Sequence, residues 1–574
     1  MATSDTGKRC FGASIAIILF FSIAACSGSG DSGDPASQPP ANTPPPQSAS
    51  SSITAADASR FLNQATFGAT TREIERLRNI GYAQWFTEEF TKPQESLLQS
   101  VLLVEASGAE AGRNELSETF WTRAISGDDQ LRQRVGFALS QILVASYSDG
   151  ALAERPVAMA NYMDMMSAGA FGNFRQTLEN ITYSPAMAIW LTYLQNQKAD
   201  TAREVVPDEN YAREVMQLFT IGTLELNGNG ELRLSGGEPI ETYDNRDVTE
   251  MAKVFTGLSW AERSQFLGQP DTVRSEYLPL VMFEEEHSAE QKSFLGETIP
   301  PNTPGNQSIA IALDTLFWHA NTAPFISKQL IQRLVTSNPS PAYVGRVATA
   351  FRSGRYRFSG GEAVGSGTRG DMRAVVAAIL MDDEARNATT AGGAQFGKLR
   401  EPVLRFTHWA RAFGVTRTRV DTVEAARDTR APSSLNQQAY RSPSVFNFYR
   451  PGFVSPGTHS AAAGLVAPEL QITTAASVTG YANFMENFIV NYVGRSSFAP
   501  DYSNELTLAG DPAALVDHLN LLLASGALSA DTRTRIIAAV NAISTGSGQF
   551  SRDELRVRTA VLFVMTSSDY IVSR

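Results

Sequence analysis

The sequence predicts a mainly α fold: a large multi-helical globular domain carrying one or a few small β-hairpins. Three observations predict it. Apolar residues recur at helical spacing through most of the chain, strand signals are sparse, and the 574 residues are 43% hydrophobic and 19% charged, enough for a large core.

The elements follow in order. "KRCFGASIAIILFFSIAAC" sets Lys8 and Arg9 before an apolar run from about Ala13 to Ala25. That is the layout of a secretory signal peptide, expected over residues 1–25, and the run is short for a membrane span. Its end, "SIAAC", resembles the bacterial lipoprotein signal, which implies a lipid on Cys26; Ser27 after the cysteine implies the outer membrane. Residues 27–52 are rich in Ser, Gly and Pro and lack large apolar side chains, so 26–53 reads as a lipidated tether. The two cysteines are Cys10 and Cys26, which leaves the expected mature chain no disulfide and no cysteine chemistry.

From residue 54 to 574 the chain reads as one helical domain, with room for two packed lobes. Thr54 is placed to cap a helix carrying Phe61 and Leu62. Ile74, Leu77 and Ile80 form one face of the next. "DQLRQRVGFALSQILVAS" is more deeply apolar, and helices are also expected over "DNRDVTEMAKVF", "NTAPFISKQLIQRLV" and, behind Asp371, "MRAVVAAILM". Asp511 with Pro512 starts one late helix, Ser525–Gly526 ends it, and Ser529 or Asp531 starts another. The best strand signal is "LELNGNGELRLSGG", with a turn at Asn227–Gly228 or Asn229–Gly230.

Net charge is -11, which disfavours a general nucleic-acid binder. "GSGTRG", Gly365 to Gly370, matches a dinucleotide fingerprint in letters only: no strand precedes it and Asp371 would repel a pyrophosphate, so no nucleotide is expected. No two of the five histidines lie within five residues of each other, and no metal is assigned. His287 stands out beside Glu284, Glu285 and Glu286 in a polar loop. The densest polar cluster is in "VPDENYAREVMQLFTIG". Pro207 suits a first helical turn, Glu209 and Arg213 are four apart, and so are Asn210 and Glu214. Two carboxylates beside an arginine and an amide can do acid–base work, or can join helix ends as a structural network. Asp247 on the later helix is placed to add a carboxylate.

These segments together resemble one bacterial family, the domain of unknown function numbered 1800. The pieces are "FLNQATFGATTREIERLRNIGYAQWF", "PDENYAREVMQLFTIGTLELNGNG", "DVTEMAKVFTGLSW", "FISKQLIQRLVTSNPSPAYVGRVATAF", "KLREPVLRF" and "SVFNFYRPGFVSPG", among others. The resemblance covers essentially all of the folded part. It implies an exported, mostly helical protein, often encoded beside a second secreted protein. It brings no activity and no cofactor. It singles out Glu209, Asn210, Tyr211, Arg213 and Glu214, then Asp247, then His287 with Lys292 in an "H…K…LG" element. In two places the chain departs from the family: "GFALSQILVAS" stands where many members carry a histidine-rich run, and Ser288 follows His287 where many have aspartate.

Two functions are therefore expected. The first is an envelope or surface lipoprotein, membrane-bound through Cys26, that binds a secreted partner protein or an extracellular polymer, with Asn210, Tyr211, Arg213 and Lys292 as candidate binding residues. The second is a surface-anchored, carboxylate-dependent hydrolase, metal-assisted or not, using Glu209, Glu214, Asp247 and His287 on an extracellular polymer. The motifs favour the first, because none of them demands chemistry.

Overall fold

Thr54 opens the fold as its sequence predicts: its hydroxyl accepts the Asp57 N–H at 3.1 Å and starts helix α1, Ala55–Ala65. In this computed structural model the described residues are 53–109, 111–148, 150–387, 393, 395–415, 428–491 and 499–574. The signal segment, Cys10, Cys26 and the tether to residue 52 lie outside them. Phe61, Leu62 and Ala65 of α1 are buried. In α2, Thr71–Thr91, Gly81 breaks the helix at φ 78, a conformation that L side chains rarely adopt, so the apolar stripe of Ile74 and Leu77 changes direction there.

Next come α3 (Leu97–Ala106), α4 (Arg113–Ser126), α5 (Gln130–Ser140), α6 (Pro156–Gly169), α7 (Phe174–Thr182) and α8 (Pro185–Trp190). α5 is nearly all buried. A Cβ at its Gly136 would stand 3.2 Å from the Met166 carbonyl and from Ser167, so glycine sets the close crossing of α5 and α6. The helix expected to run on through "SQILVAS" ends at Ser140. Residues 141–148 instead bond to a distant irregular stretch: the Ser146 and Ser148 hydroxyls donate to the Ser442 and Arg441 carbonyls, both at 2.8 Å.

The middle of the chain holds α9 (Asn210–Gln217), α10 (Asn245–Val254), α11 (Gly305–Trp318), α12 (Thr322–Leu334), α13 (Pro341–Ser353), α14 (Met372–Met381) and α15 (Pro402–Ala412). The last third holds α16 (Ala475–Glu486), α17 (Pro512–Ala524), α18 (Ala530–Asn541) and α19 (Arg552–Thr566). Asp511 caps α17, Ser525 and Gly526 end it at positive φ, and Ser529 caps α18. Asp371 caps α14, with the Gly365–Gly370 stretch as the loop before it. Contrary to the expectation that no strand precedes that loop, Ala363–Val364 form a short strand, but it pairs antiparallel with Tyr356–Arg357 and builds no βαβ unit.

The described strands form five two-stranded antiparallel pairs: β1 (Leu234–Ser235) with β2 (Glu238–Pro239), β3 (Leu258–Ser259) with β4 (Val281–Met282), β5 (Lys292–Phe294) with β6 (Glu297–Ile299), β7 (Tyr356–Arg357) with β8 (Ala363–Val364), and β9 (Lys398–Leu399) with β10 (Val572–Ser573). The protein is mainly α, and the sheets are clasps. At the expected Asn-Gly hairpin the Leu226–Leu232 bridge closes a loop, while the regular pair β1–β2 turns at Gly236–Gly237. β9–β10 ties the C-terminus to the segment before α15, and Ser59 on α1 donates to the Leu521 carbonyl of α17 at 2.8 Å. The described residues from 53 to 574 thus pack as one unit.

Candidate functional site

The cluster in Val206–Gly222 starts later than its sequence suggests. Pro207 precedes the helix, and α9 begins at Asn210 because Asp208 closes its end: Asp208 Oδ1 accepts the Asn210 N–H at 2.8 Å and Oδ2 accepts the Thr192 hydroxyl at 3.1 Å. The Asn210 amide donates to Thr192 Oγ1 at 3.3 Å. Glu209 pairs with Arg213 at 3.1 Å and accepts the Thr249 hydroxyl of α10 at 2.8 Å. That pair is two-fifths exposed, so water screens it. Tyr211 faces the other way. It is fully buried, shares a 2.7 Å bond with Thr182, and lies 4.2 Å from the Tyr193 ring and 4.7 Å from Phe255. Burial raises its phenol pKa. Glu214 is also buried, its Oε2 has no hydrogen-bond partner, and burial raises its carboxyl pKa against the partial offset of Arg213.

Asp247 works on the fold. Its Oδ2 accepts the Asp244 N–H at 3.0 Å, closing a capping box at the start of α10. Its Oδ1 accepts the Leu295 N–H at 2.7 Å, and one turn on, Glu250 accepts the Ser293 N–H at 3.0 Å. Two carboxylates on one helix face thus receive alternate N–H groups from the open edge of β5. The β5–β6 turn at Leu295 (φ 50) and Gly296 (φ 80) is held against α10 by this means.

His287 is buried, not part of a solvated acidic loop. Its Nδ1 lies 2.9 Å from the Thr256 carbonyl, so Nδ1 carries the proton and donates it, while Nε2 is buried without a partner. Burial, then the Lys292 charge, lowers its pKa. Lys292 is itself fully buried and donates to the carbonyls of Ser288 at 2.7 Å and Glu290 at 3.3 Å. Glu284, beside it in sequence, accepts the Gly305 N–H at the start of α11. The sequence-predicted residues therefore lie at α9, on α10, and in the segment from His287 to β5, on separate structural duties. None lines the cavities described below, and among the described residues no three His, Cys, Asp or Glu side chains are grouped to hold a metal.

The structure assembles a different polar centre. Glu401, fully buried at the start of α15, accepts the Gln141 and Gln437 side-chain amides at 2.6 and 2.7 Å. Burial alone would raise its pKa, but Lys398, Arg134 and the two amides outweigh it and hold the carboxyl below its ordinary value. Lys398 donates to the Arg333 carbonyl at 2.8 Å and lies 3.2 Å from Glu469. Arg333 donates to the Gln141 carbonyl at 2.9 Å. These five charged side chains, Arg134, Arg333, Lys398, Glu401 and Glu469, are all buried and close to electrically balanced.

Above them runs a groove. Two adjoining cavities of about 200 and 430 Å³ share Gly222, Thr223, Phe325, Gln329 and Pro451. Gln141 and Arg333 form part of the floor of the smaller one, and both present a buried, unpartnered polar atom there, Gln141 Oε1 and Arg333 Nε. Leu218, Phe325, Val445 and Phe446 supply apolar wall, with the Arg450 guanidinium 4.5 Å from the Phe446 ring centre. Gln217, Gln329 and Gln332 supply amides, and among the described residues no Asp or Glu lines either cavity. Lys328 stands exposed in the larger one. It makes no hydrogen bond or ion pair among the described residues, and desolvation by the walls lowers its pKa with no carboxylate to offset it.

The family model described as "Protein of unknown function (DUF1800)" matches residues 60–572. The chain belongs to the DUF1800 family. No curated protein and no solved structure matched this DUF1800 protein. The groove spans three of the segments that carry its family resemblance, "PDENYAREVMQLFTIGTLELNGNG", "FISKQLIQRLV" and "SVFNFYRPGF", and Gln141 lies in the stretch Gly136–Ser146 where the chain departs from the family's histidine-rich run. The sequence reading missed Gln141, Lys328, Gln329, Arg333 and Glu401. One signal was present: Gln329 and Arg333 are four apart on a helix that also carries Leu330, Ile331 and Leu334, and both are buried.

Proposed function

We propose that this DUF1800 protein is an exported, lipid-anchored binding protein, held to the outer membrane through Cys26 and the tether to residue 53, that takes an extended segment of a secreted partner protein or an extracellular polymer into the groove between α12 and the Val445–Pro451 stretch. The observation that carries this reading is the groove: an open concavity of mixed apolar wall and amide lining, with unpartnered polar atoms in its floor. Rigidity beneath it supports the same reading. The floor rests on the Glu401 network, so a ligand meets a preformed surface. The alternative, a hydrolase at Glu209, Glu214, Asp247 and His287, has less support because Glu209, Asp247 and His287 bond to separate partners and none of the four lines the groove.

Thr223 is exposed and lines both cavities, so Thr223→Trp fills the groove without disturbing the core. A displayed random peptide library and an immobilised glycan panel, applied to the full chain and to this variant, test the reading. Ligands that bind the parent and are lost in Thr223→Trp are expected. Ligands indifferent to the substitution would place the binding surface elsewhere. Cys26→Ala is expected to move the protein from the membrane to the soluble fraction; retention on the membrane would remove the anchor.

A further inference from the structure

We infer that the groove takes an acidic peptide segment, whose Asp or Glu side chain pairs with Lys328. This rests on the groove being the binding site. The first observation is charge. The chain carries a net -11, yet among the described residues this groove is lined by Lys328 and Arg333 and by no carboxylate. Other cations packed into the fold have partners: Lys398 has Glu469 at 3.2 Å and Lys253 has Glu250 at 2.8 Å, while Lys292 and Arg333 donate to backbone carbonyls. Lys328 has none among the described residues. A half-desolvated ammonium is best matched by an ionised group brought by the ligand, where a charge-assisted bond is strengthened by the same walls.

The second observation is the rest of the lining. Gln217 and Gln329 offer amides that can both donate to and accept from a peptide backbone, and Phe325, Val445 and Phe446 offer apolar surface for alternate side chains. A neutral saccharide could bond to these amides but would bring no ionised group to match Lys328.

The test is to pan a random twelve-residue phage-displayed library on the full chain, discarding peptides that also bind Thr223→Trp. Groove-dependent peptides are expected to contain Asp or Glu. As synthetic peptides they should lose at least about tenfold in affinity with Lys328→Gln, keep it within a few-fold with Lys328→Arg, and weaken as salt rises. Groove-dependent peptides without acids, or acidic ones indifferent to Lys328→Gln, would overturn the acidic-segment inference and leave the groove standing as a binding site. Failure to recover any peptide sensitive to Thr223→Trp would overturn the acidic-segment inference, and if no glycan on the panel is sensitive to Thr223→Trp either, it would overturn the groove as a binding site as well.

Discussion

Glu214 shows how a residue's neighbours decide its meaning. Its carboxyl is buried, one oxygen has no partner, and burial raises its pKa from the ordinary 4.5. For an acid with a raised folded pKa, the native state binds the proton more readily than the unfolded chain. Wild-type Glu214 therefore gains stability as pH falls through its raised value and stops gaining near the ordinary one. Glu214→Gln removes the buried charge. It is expected to be neutral or to stabilise at pH 7.5 by on the order of 1 kcal/mol, with the gain gone near pH 4. Urea midpoints at the two pH values measure this. A loss of 3 kcal/mol or more at pH 7.5 would mean that the carboxylate is paired and that Glu214 is a structural anchor. Glu209→Gln, by contrast, breaks a two-fifths-exposed pair and should cost under about 1 kcal/mol. The sequence places the two glutamates in one motif. Only the packing of α9 separates one turned to solvent from one turned inward.

At the scale of elements, α10 organises its neighbourhood. Its cap, Asp244, is legible in "YDNRDVTE" because capping is local chemistry. The second duty of Asp247 is not legible, since the N–H it receives belongs to Leu295, 48 residues later. Asp247→Ala removes both the capping-box return bond and the staple to the β5–β6 turn. It is expected to cost about 1–2 kcal/mol. Amide exchange at Leu295 should rise more than at Phe294, whose strand pairing with Glu297 remains. Equal change at both amides would show that the staple does not act locally. The same limit explains the hairpin near Asn227. The turn residues are readable, but which residues become regular strand depends on what packs beside them, and the β1–β2 pair forms at Gly236–Gly237 instead.

For the molecule as a whole, the buried His287 and His408 and the half-buried His319 set a pH dependence. His287, His319 and His408 all have lowered pKa values, in each case chiefly from burial, with Arg400 adding to the effect at His408. For a base the sign reverses. The native state keeps the ring neutral while the unfolded chain takes a proton. These groups thus contribute fully above the ordinary value near 6.5, and the contribution is lost as pH falls below it, by at most about 1.4 kcal/mol per pH unit for each ring. Denaturant midpoints are expected to drop between pH 7.5 and 6.0, and His408→Asn should flatten that slope whatever it does to the absolute stability. An unchanged slope in the variant would show that His408 does not titrate in this range.

Helix content, most helix caps and the DUF1800 membership were legible in the sequence, because periodicity, capping and turn chemistry act over a few residues. The candidate site was not. Glu401 meets Gln141 across 260 residues, and the groove brings together Gln217, Lys328 and Pro451 from three separated segments. Charge type and spacing can nominate polar residues, as they did at Glu209–Glu214. Whether such residues converge on a cavity or are spent on the fold's own backbone depends on long-range packing, which the tertiary structure alone decides.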